Sequence, residues 1–190
     1  MSYRNTTERL NELREQIAAL RKEIRQTQSA VEPESVENYI FATVSGPVTL
    51  ADLFGDKDTL FVIHNMGASC RGCTLWADGF NGILPHLESR AAFVISSPDE
   101  PEKQRRFKES RGWKFRMVSH QGGNFAADMG YKGEKGWRPG VSVFKKQDGR
   151  IVRVSDTEMG PYDDFNAVWH FFDLLPEGAG DWSPQYKYGE

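Results

Sequence analysis

The sequence predicts an α/β domain with a mixed central sheet flanked by helices, and three observations predict it. Two apolar runs, residues 59–65 and 91–96, alternate with helical patterns at 71–87 and 100–111. A hairpin pattern at 141–154 and an amphipathic stretch come next, so antiparallel strands follow the parallel ones. Between the first of these strands and its helix stand the only two cysteines of the chain, Cys70 and Cys73.

Each element has a local reason. Leu10, Leu13, Ile17, Leu20 and Ile24 recur at alternating spacings of three and four among charged residues, the seam of an added N-terminal amphipathic helix. Asn5 followed by Glu8 reads as a capping box at its start. The seam suits either a helix laid along its own domain or a homodimer formed through it, although it is short for a coiled coil. Residues 29–46 lose the pattern, with Pro33, Gly46 and Pro47 as punctuation, and read as a connector. A short strand at 48–50, a helical turn at 51–55 and a turn at 56–58 lead into the strand at 59–65.

After the cysteines, Leu75, Trp76, Phe80, Ile83, Leu84 and Leu87 fall at helical spacing, while Gly79, Gly82 and Pro85 predict an irregular or kinked helix. The uncharged run 91–96 suits the interior of a parallel sheet. Pro98 and Pro101 stand near the start of the charged helix 100–111, where proline is tolerated. A short strand is expected at 114–119, and a glycine-rich loop with one helical turn at 125–129 fills 121–137. The turn Gln147-Asp148-Gly149-Arg150 joins strands 141–145 and 151–154. Phe165, Val168, Trp169, Phe172 and Leu175 mark a last helix, and Trp182, Tyr186 and Tyr188 lie in a tail expected to close over the chain's own core. The chain thus divides into helix and connector at 1–46, a central domain at 47–176 and a tail at 177–190.

A chain of 190 residues with 38% hydrophobic residues can bury a core without staples. Its 24 basic and 27 acidic residues leave no basic footprint for nucleic acid. The charged N-terminus lacks the apolar core of a secretory signal, and no run approaches the roughly 18 apolar residues that span a bilayer, so the chain reads as cytoplasmic with no membrane partner. In that reducing setting a bridge closing so short a loop adds little stability, and the Cys70–Cys73 spacing points to reversible chemistry.

The chemistry follows from position. A thiol at a helix N-terminus meets unpaired backbone N–H groups that favour its thiolate, and Arg71 adds a positive charge between the two cysteines. A second thiol one turn on can attack the first and release a bound partner as a new disulfide forms. A structural pair and a metal half-site are the other readings of such a motif. His64, His86, His120 and His170 show no paired spacing that would complete a metal site, so no metal is expected.

The order strand, CxxC, helix, strand, helix, hairpin and closing helix resembles the thioredoxin fold. More narrowly, Val48 to Phe54, His64-Asn65-Met66-Gly67-Ala68-Ser69-Cys70 through Cys73-Thr74-Leu75-Trp76-Ala77-Asp78-Gly79-Phe80, and Ser96-Ser97-Pro98 resemble a bacterial family of predicted dithiol-disulfide oxidoreductases within the thioredoxin-like superfamily. The resemblance covers about residues 5–190. It implies a thiol-disulfide oxidoreductase with Cys70 as nucleophile and Cys73 as resolving thiol, and with no organic cofactor. Its partners would be a disulfide-containing protein or a low-molecular-weight thiol, served by an upstream thiol reductant.

The resemblance also implies that Pro139 stands where thioredoxin-like proteins carry a cis-proline, and that His64 replaces a buried acid that assists proton transfer. His64 reads first as a core histidine satisfied by backbone, and Trp76, one turn beyond Cys73, as a wall of the pocket or core. Ser69 stands where thioredoxins carry a tryptophan. Two alternatives remain. Val48 to Phe54 is similar to the opening of the peroxiredoxin branch, with Arg138 placed like a peroxide-polarising arginine, but the proline-and-threonine approach to the cysteine is missing. The third reading is a redox-sensing or interaction module without catalysis.

Overall fold

The structure, a computed structural model, describes residues 3–189, with side chains described over 6–189. Its elements in chain order are α1 (Tyr3–Ser29), β1 (Glu34–Ser35), β2 (Ile40–Thr43), β3 (Gly46–Thr49), α2 (Leu50–Leu53), β4 (Thr59–His64), α3 (Arg71–Glu88), β5 (Ala92–Ser97) and α4 (Pro101–Arg111). There follow β6 (Arg116–Ser119), α5 (Phe125–Asp128), β7 (Lys132–Gly133), β8 (Gly136–Trp137), β9 (Gly140–Gln147), β10 (Arg150–Glu158) and α6 (Ala167–Phe172). Eight strands form one sheet in the order β1-β10-β9-β4-β5-β6-β2-β3, and β7 and β8 pair separately. β4, β5 and β6 run parallel, and the remaining neighbours are antiparallel. This is the mixed sheet that the sequence predicts.

The period of two along β4 explains the layers. Leu60 and Val62 enter a core shared with Phe41, Leu50, Phe54, Val94, Val118, Phe125 and Phe144. Ile63 enters the opposite core, with Cys73, Trp76, Phe80, Leu84, Phe93, Ile95, Trp113 and Phe115. Both faces of the central strand are therefore buried, which is why it reads as an unbroken apolar run. On the second face, α3 presents Cys73, Trp76, Ala77, Phe80 and Leu84 inward.

Several expectations change here. The stretch read as a connector supplies β1 and β2, which pair with β10 and with β3 and β6. β10 and β6 are distant in sequence, and only β3 follows directly, so most of what orders the stretch leaves no local signature in it. α3 is one continuous helix with Pro85 inside it, because its buried apolar face outweighs the local propensity of Gly79, Gly82 and Pro85. Gly79 instead gives Asn166 room, since a Cβ there would sit 3.1 Å from its side-chain nitrogen. The loop 121–137 contains the β7–β8 hairpin as well as α5. α6 is shorter than the apolar spacing indicates, with only Trp169 buried and Phe165 and Leu175 exposed.

α1 already runs from Tyr3, so Asn5 falls within it and not at its cap; that side chain lies outside those described. The seam residues Leu10, Leu13, Ile17, Leu20 and Ile24 are all exposed. α1 approaches the domain at β10 and through an ion pair from Arg21 to Asp164 at 2.6 Å. No described helix is long and apolar enough to cross a membrane.

Gly140 opens β9 directly against Tyr131: a Cβ there would lie 2.1 Å from the Tyr131 ring and 2.6 Å from the Thr157 carbonyl oxygen. Both neighbours are fixed, one by a buried ring and the other by the β9–β10 ladder. Gly140→Ala is therefore expected to destabilise the fold by about 3 kcal/mol, read as a lowered urea midpoint with an unchanged slope.

Candidate active site

The end of β4 is turned into a loop by its own hydrogen bonds. Asn65 N–H donates to the Ser96 carbonyl at 2.9 Å, continuing the β4–β5 register for one residue. Asn65 Oδ1 then accepts from Gly67 N–H at 2.7 Å. Gly67 has φ +100°, and a Cβ on it would lie 2.9 Å from Asp99 Oδ2, so both its conformation and its surroundings require glycine. Asp99 uses that closeness to accept from Ala68 N–H at 2.6 Å, and Lys103 holds its other oxygen at 2.5 Å. Cys70 N–H donates to the Gly67 carbonyl at 3.1 Å, closing the turn.

Cys70 is the N-cap of α3, with extended backbone, and its Sγ accepts from Cys73 N–H at 3.0 Å. It thus occupies the place of a capping serine or aspartate and satisfies an otherwise unpaired donor. Cys70 is half-buried and Cys73 buried. The Cys73 thiol, donating to Cys70, holds the Cys70 thiol down to about 7 against the opposing effect of burial, and the N–H groups of Cys73 and Gly72 add to the lowering. That same bond and burial push the Cys73 thiol far up, although Met66 N–H reaches its Sγ at 3.4 Å. One sulfur is prepared as a thiolate, and the other is kept protonated behind it.

The residues named from sequence divide between this site and elsewhere. Arg71 is exposed, its guanidinium carbon 5.9 Å from the centre of the Tyr186 ring, and, in contrast to the sequence expectation, its charge is not among the causes that lower the Cys70 thiol. Trp76 is buried, its six-membered ring lying where a Cβ on Gly72 would meet it at ordinary van der Waals distance and its Nε1 donating to Asp163 at 3.3 Å. Pro139 borders the same narrow space as Cys73, Trp76 and Met159. The Arg138–Pro139 bond is trans, in contrast to the expected cis bond. Hydrogen bonds from Arg138 N–H to the Tyr131 carbonyl and from Met159 N–H to the Pro139 carbonyl hold the chain extended into β9.

Arg138 ion-pairs with Glu158 at 3.0 Å beside Gly133 and makes no described contact with either cysteine. His64 also borders the narrow space beside Cys73, but its ring packs into the first core. Its ring stacks on Tyr131 at 3.8 Å, with Phe125 at 5.3 Å on the first core's face, and Nε2 meets Ser142 Oγ at 2.9 Å. Burial, with His120 and Arg153 nearby, lowers its pKa to about 3, so the ring is neutral. A cleft of about 510 Å³ between Tyr39, Ala42, His120 and Phe125 takes none of its lining from the CxxC turn.

Two contributors escaped the sequence reading. In the sequence Asp99 stands only as the residue before the charged helix 100–111. Tyr186 comes from the tail, and its hydroxyl donates to the Ala68 carbonyl at 3.0 Å while Arg111 Nη1 holds the Tyr186 carbonyl at 2.6 Å. Neither has a local signature, since each acts only through the fold.

A thioredoxin-like fold that seats a CxxC pair at the N-terminus of the helix following its first parallel strand is the class these elements define. Solved structures share the fold: a cysteine-to-serine mutant of peroxiredoxin Q from Xanthomonas campestris superposes with TM-score 0.56 and 18% identity over 69% of this chain and 87% of that one. The peroxiredoxin Q of Xylella fastidiosa, likewise with a cysteine replaced by serine, gives 0.59 and 17% over 69% and 87%. Peroxidoxin BcpB of Mycobacterium tuberculosis gives 0.53 and 23% over 71% and 88%. No curated protein matches the chain in sequence. Residues 5–188 match the family described as bacterial protein of unknown function (DUF899), and the chain belongs to that family. The description assigns no activity, so chemistry has to be argued from the site.

The two thiols provide a direct check. Iodoacetamide should modify Cys70 with a rate half-maximal near pH 7 and leave Cys73 untouched in the folded protein. Because the Cys70 pKa is lowered on folding, its contribution to stability is present above the ordinary thiol value near 9 and is lost as pH falls through about 7. Stability measured by urea should therefore gain from Cys70 between about pH 7 and 9, and lose above that range as Cys73 stays protonated.

Proposed function

We propose that the protein is a thiol-disulfide oxidoreductase in which Cys70 attacks a disulfide and Cys73 resolves the product. The observation that carries this reading is the Cys73 N–H to Cys70 Sγ bond at 3.0 Å, which places a lowered, half-exposed thiol one turn from a buried, protonated one. The Cys70 thiolate attacks one sulfur of the substrate, R–S–S–R, and displaces R–S⁻, leaving a Cys70–S–S–R mixed disulfide. Cys73 then gives up its proton and attacks Cys70 Sγ, so that the Cys70–Cys73 disulfide forms and a second R–S⁻ leaves. Two electrons have passed to the substrate, and an upstream thiol reductant must return them. Substrates would be a protein disulfide or that of a low-molecular-weight thiol, and a cytoplasmic setting fits this reductant.

A second reading, peroxide reduction, has the peroxiredoxin Q fold in its favour. There Cys70 would be oxidised to a sulfenic acid as the peroxide leaves as alcohol, and Cys73 would condense with it, releasing water. Against it stand Gly67, where the threonine hydroxyl is missing, and Arg138, held by Glu158. That donor is worth roughly 10²- to 10³-fold when lost from a comparable hole.

Cys70→Ser should abolish reduction of insulin disulfides, and Cys73→Ser should accumulate a mixed disulfide visible by mass spectrometry. An unmodified chain that neither reduces insulin nor forms an adduct would sink the proposal. Rapid peroxide consumption that persists in Cys73→Ser with an external thiol would favour the second reading.

A further inference from the structure

Arg71 is an exposed cation beside a nucleophile, and its surroundings leave its charge uncommitted. No carboxylate lies within ion-pair distance of it among the described residues; its one described partner is the ring of Tyr186. A guanidinium stacked on an aromatic face stays oriented while its N–H donors remain available. Tyr186 is itself anchored three times, by its hydroxyl on the Ala68 carbonyl, by Arg111 on its own carbonyl, and by an edge contact with Phe107 at 6.2 Å. The tail therefore braces Arg71 against the loop that carries Cys70.

The acidic groups nearby are already engaged. Asp99 is held by Lys103 and Ala68 N–H, and Asp78 by Arg111 and Trp113. Asp163 accepts from Trp76 Nε1, Gly160 N–H and Phe165 N–H, on the edge of the indole remote from Gly72. Of the cations among these groups, Lys103 and Arg111 are ion-paired, whereas Arg71 has no described counter-ion.

Resting on the thiol-disulfide reading above, we infer that Arg71, oriented by Tyr186, selects disulfides that carry negative charge next to the sulfur, such as those of carboxylate-bearing low-molecular-weight thiols. The carboxylate would take the free guanidinium donors while Cys70 attacks the adjacent sulfur. The bonds made and broken are those of the first exchange step, Cys70–S⁻ displacing R–S⁻ from R–S–S–R, so a single turnover needs no further reactant.

The test measures adduct formation on Cys70 in the Cys73→Ser chain with three small disulfides at one pH and low salt: dithiodipropionate, which is dianionic, neutral hydroxyethyl disulfide, and dicationic cystamine. The ratio of anionic to cationic rates cancels any change in thiolate fraction. Arg71→Gln should lower that ratio about tenfold, and high salt should lower it in the parent chain, as expected for a unit charge acting through water at a few ångströms. Arg71→Lys should restore most of the ratio. Tyr186→Phe should keep it and Tyr186→Leu should lose part of it. An equal change with all three disulfides on Arg71→Gln would overturn the inference while leaving the exchange chemistry intact. Failure of Cys70 to react with any of the three would overturn the thiol-disulfide reading itself.

Discussion

Burial of β4 on both faces is the constraint from which the rest of the site follows. Leu60 and Val62 lock the strand into one core and Ile63 into the other, so the strand cannot slide without exposing both sets. Its last residues are fixed to β5 by the pairing of His64 with Ser96 and by the Asn65 bond just beyond. The loop to Cys70 thus starts from an immobile point. It ends at another, since Cys73, Trp76 and Phe80 hold α3 in the second core. Between two fixed ends, a few hydrogen bonds suffice to set the position of one sulfur.

Much of this was legible in the sequence. The uncharged runs of β4 and β5, the hairpin of β9 and β10 and the CxxC pair each carry a local pattern, and local patterns survive folding when the whole fold agrees with them. What was not legible depends on partners far along the chain. β1 finds β10 more than a hundred residues away, and Tyr186 meets Ala68 only because the tail returns across the loop. His64 is open in the sequence to two readings, a core histidine or, by resemblance, a proton-transfer group; the alternation of the strand turns its ring into the first core against Tyr131, as the core reading has it.

The comparison with peroxiredoxins separates scaffold from chemistry. The likeness is one of fold; around Cys70 in this chain, Gly67 and Asp99 shape the approach and Arg138 is occupied at Glu158. Fold alone does not choose between attack on a disulfide and attack on a peroxide. Cys73, buried one turn away, could resolve the product of either attack; what weighs against peroxide in the proposed reading is the missing hydroxyl at Gly67 and the pairing of Arg138 with Glu158.

The cap at α3 has a further meaning in terms of electrical potential. As a thiolate, Cys70 answers the N–H of Cys73 and the positive end of an 18-residue helix; once joined to Cys73 in a disulfide it has no charge with which to do so. Whatever stabilises the thiolate therefore favours the reduced couple over the oxidised one, as it does in strongly oxidising members of this chemistry. On the proposed exchange chemistry, the helix start that favours the Cys70 thiolate would also leave a Cys70–Cys73 disulfide more ready to accept electrons than an unperturbed pair.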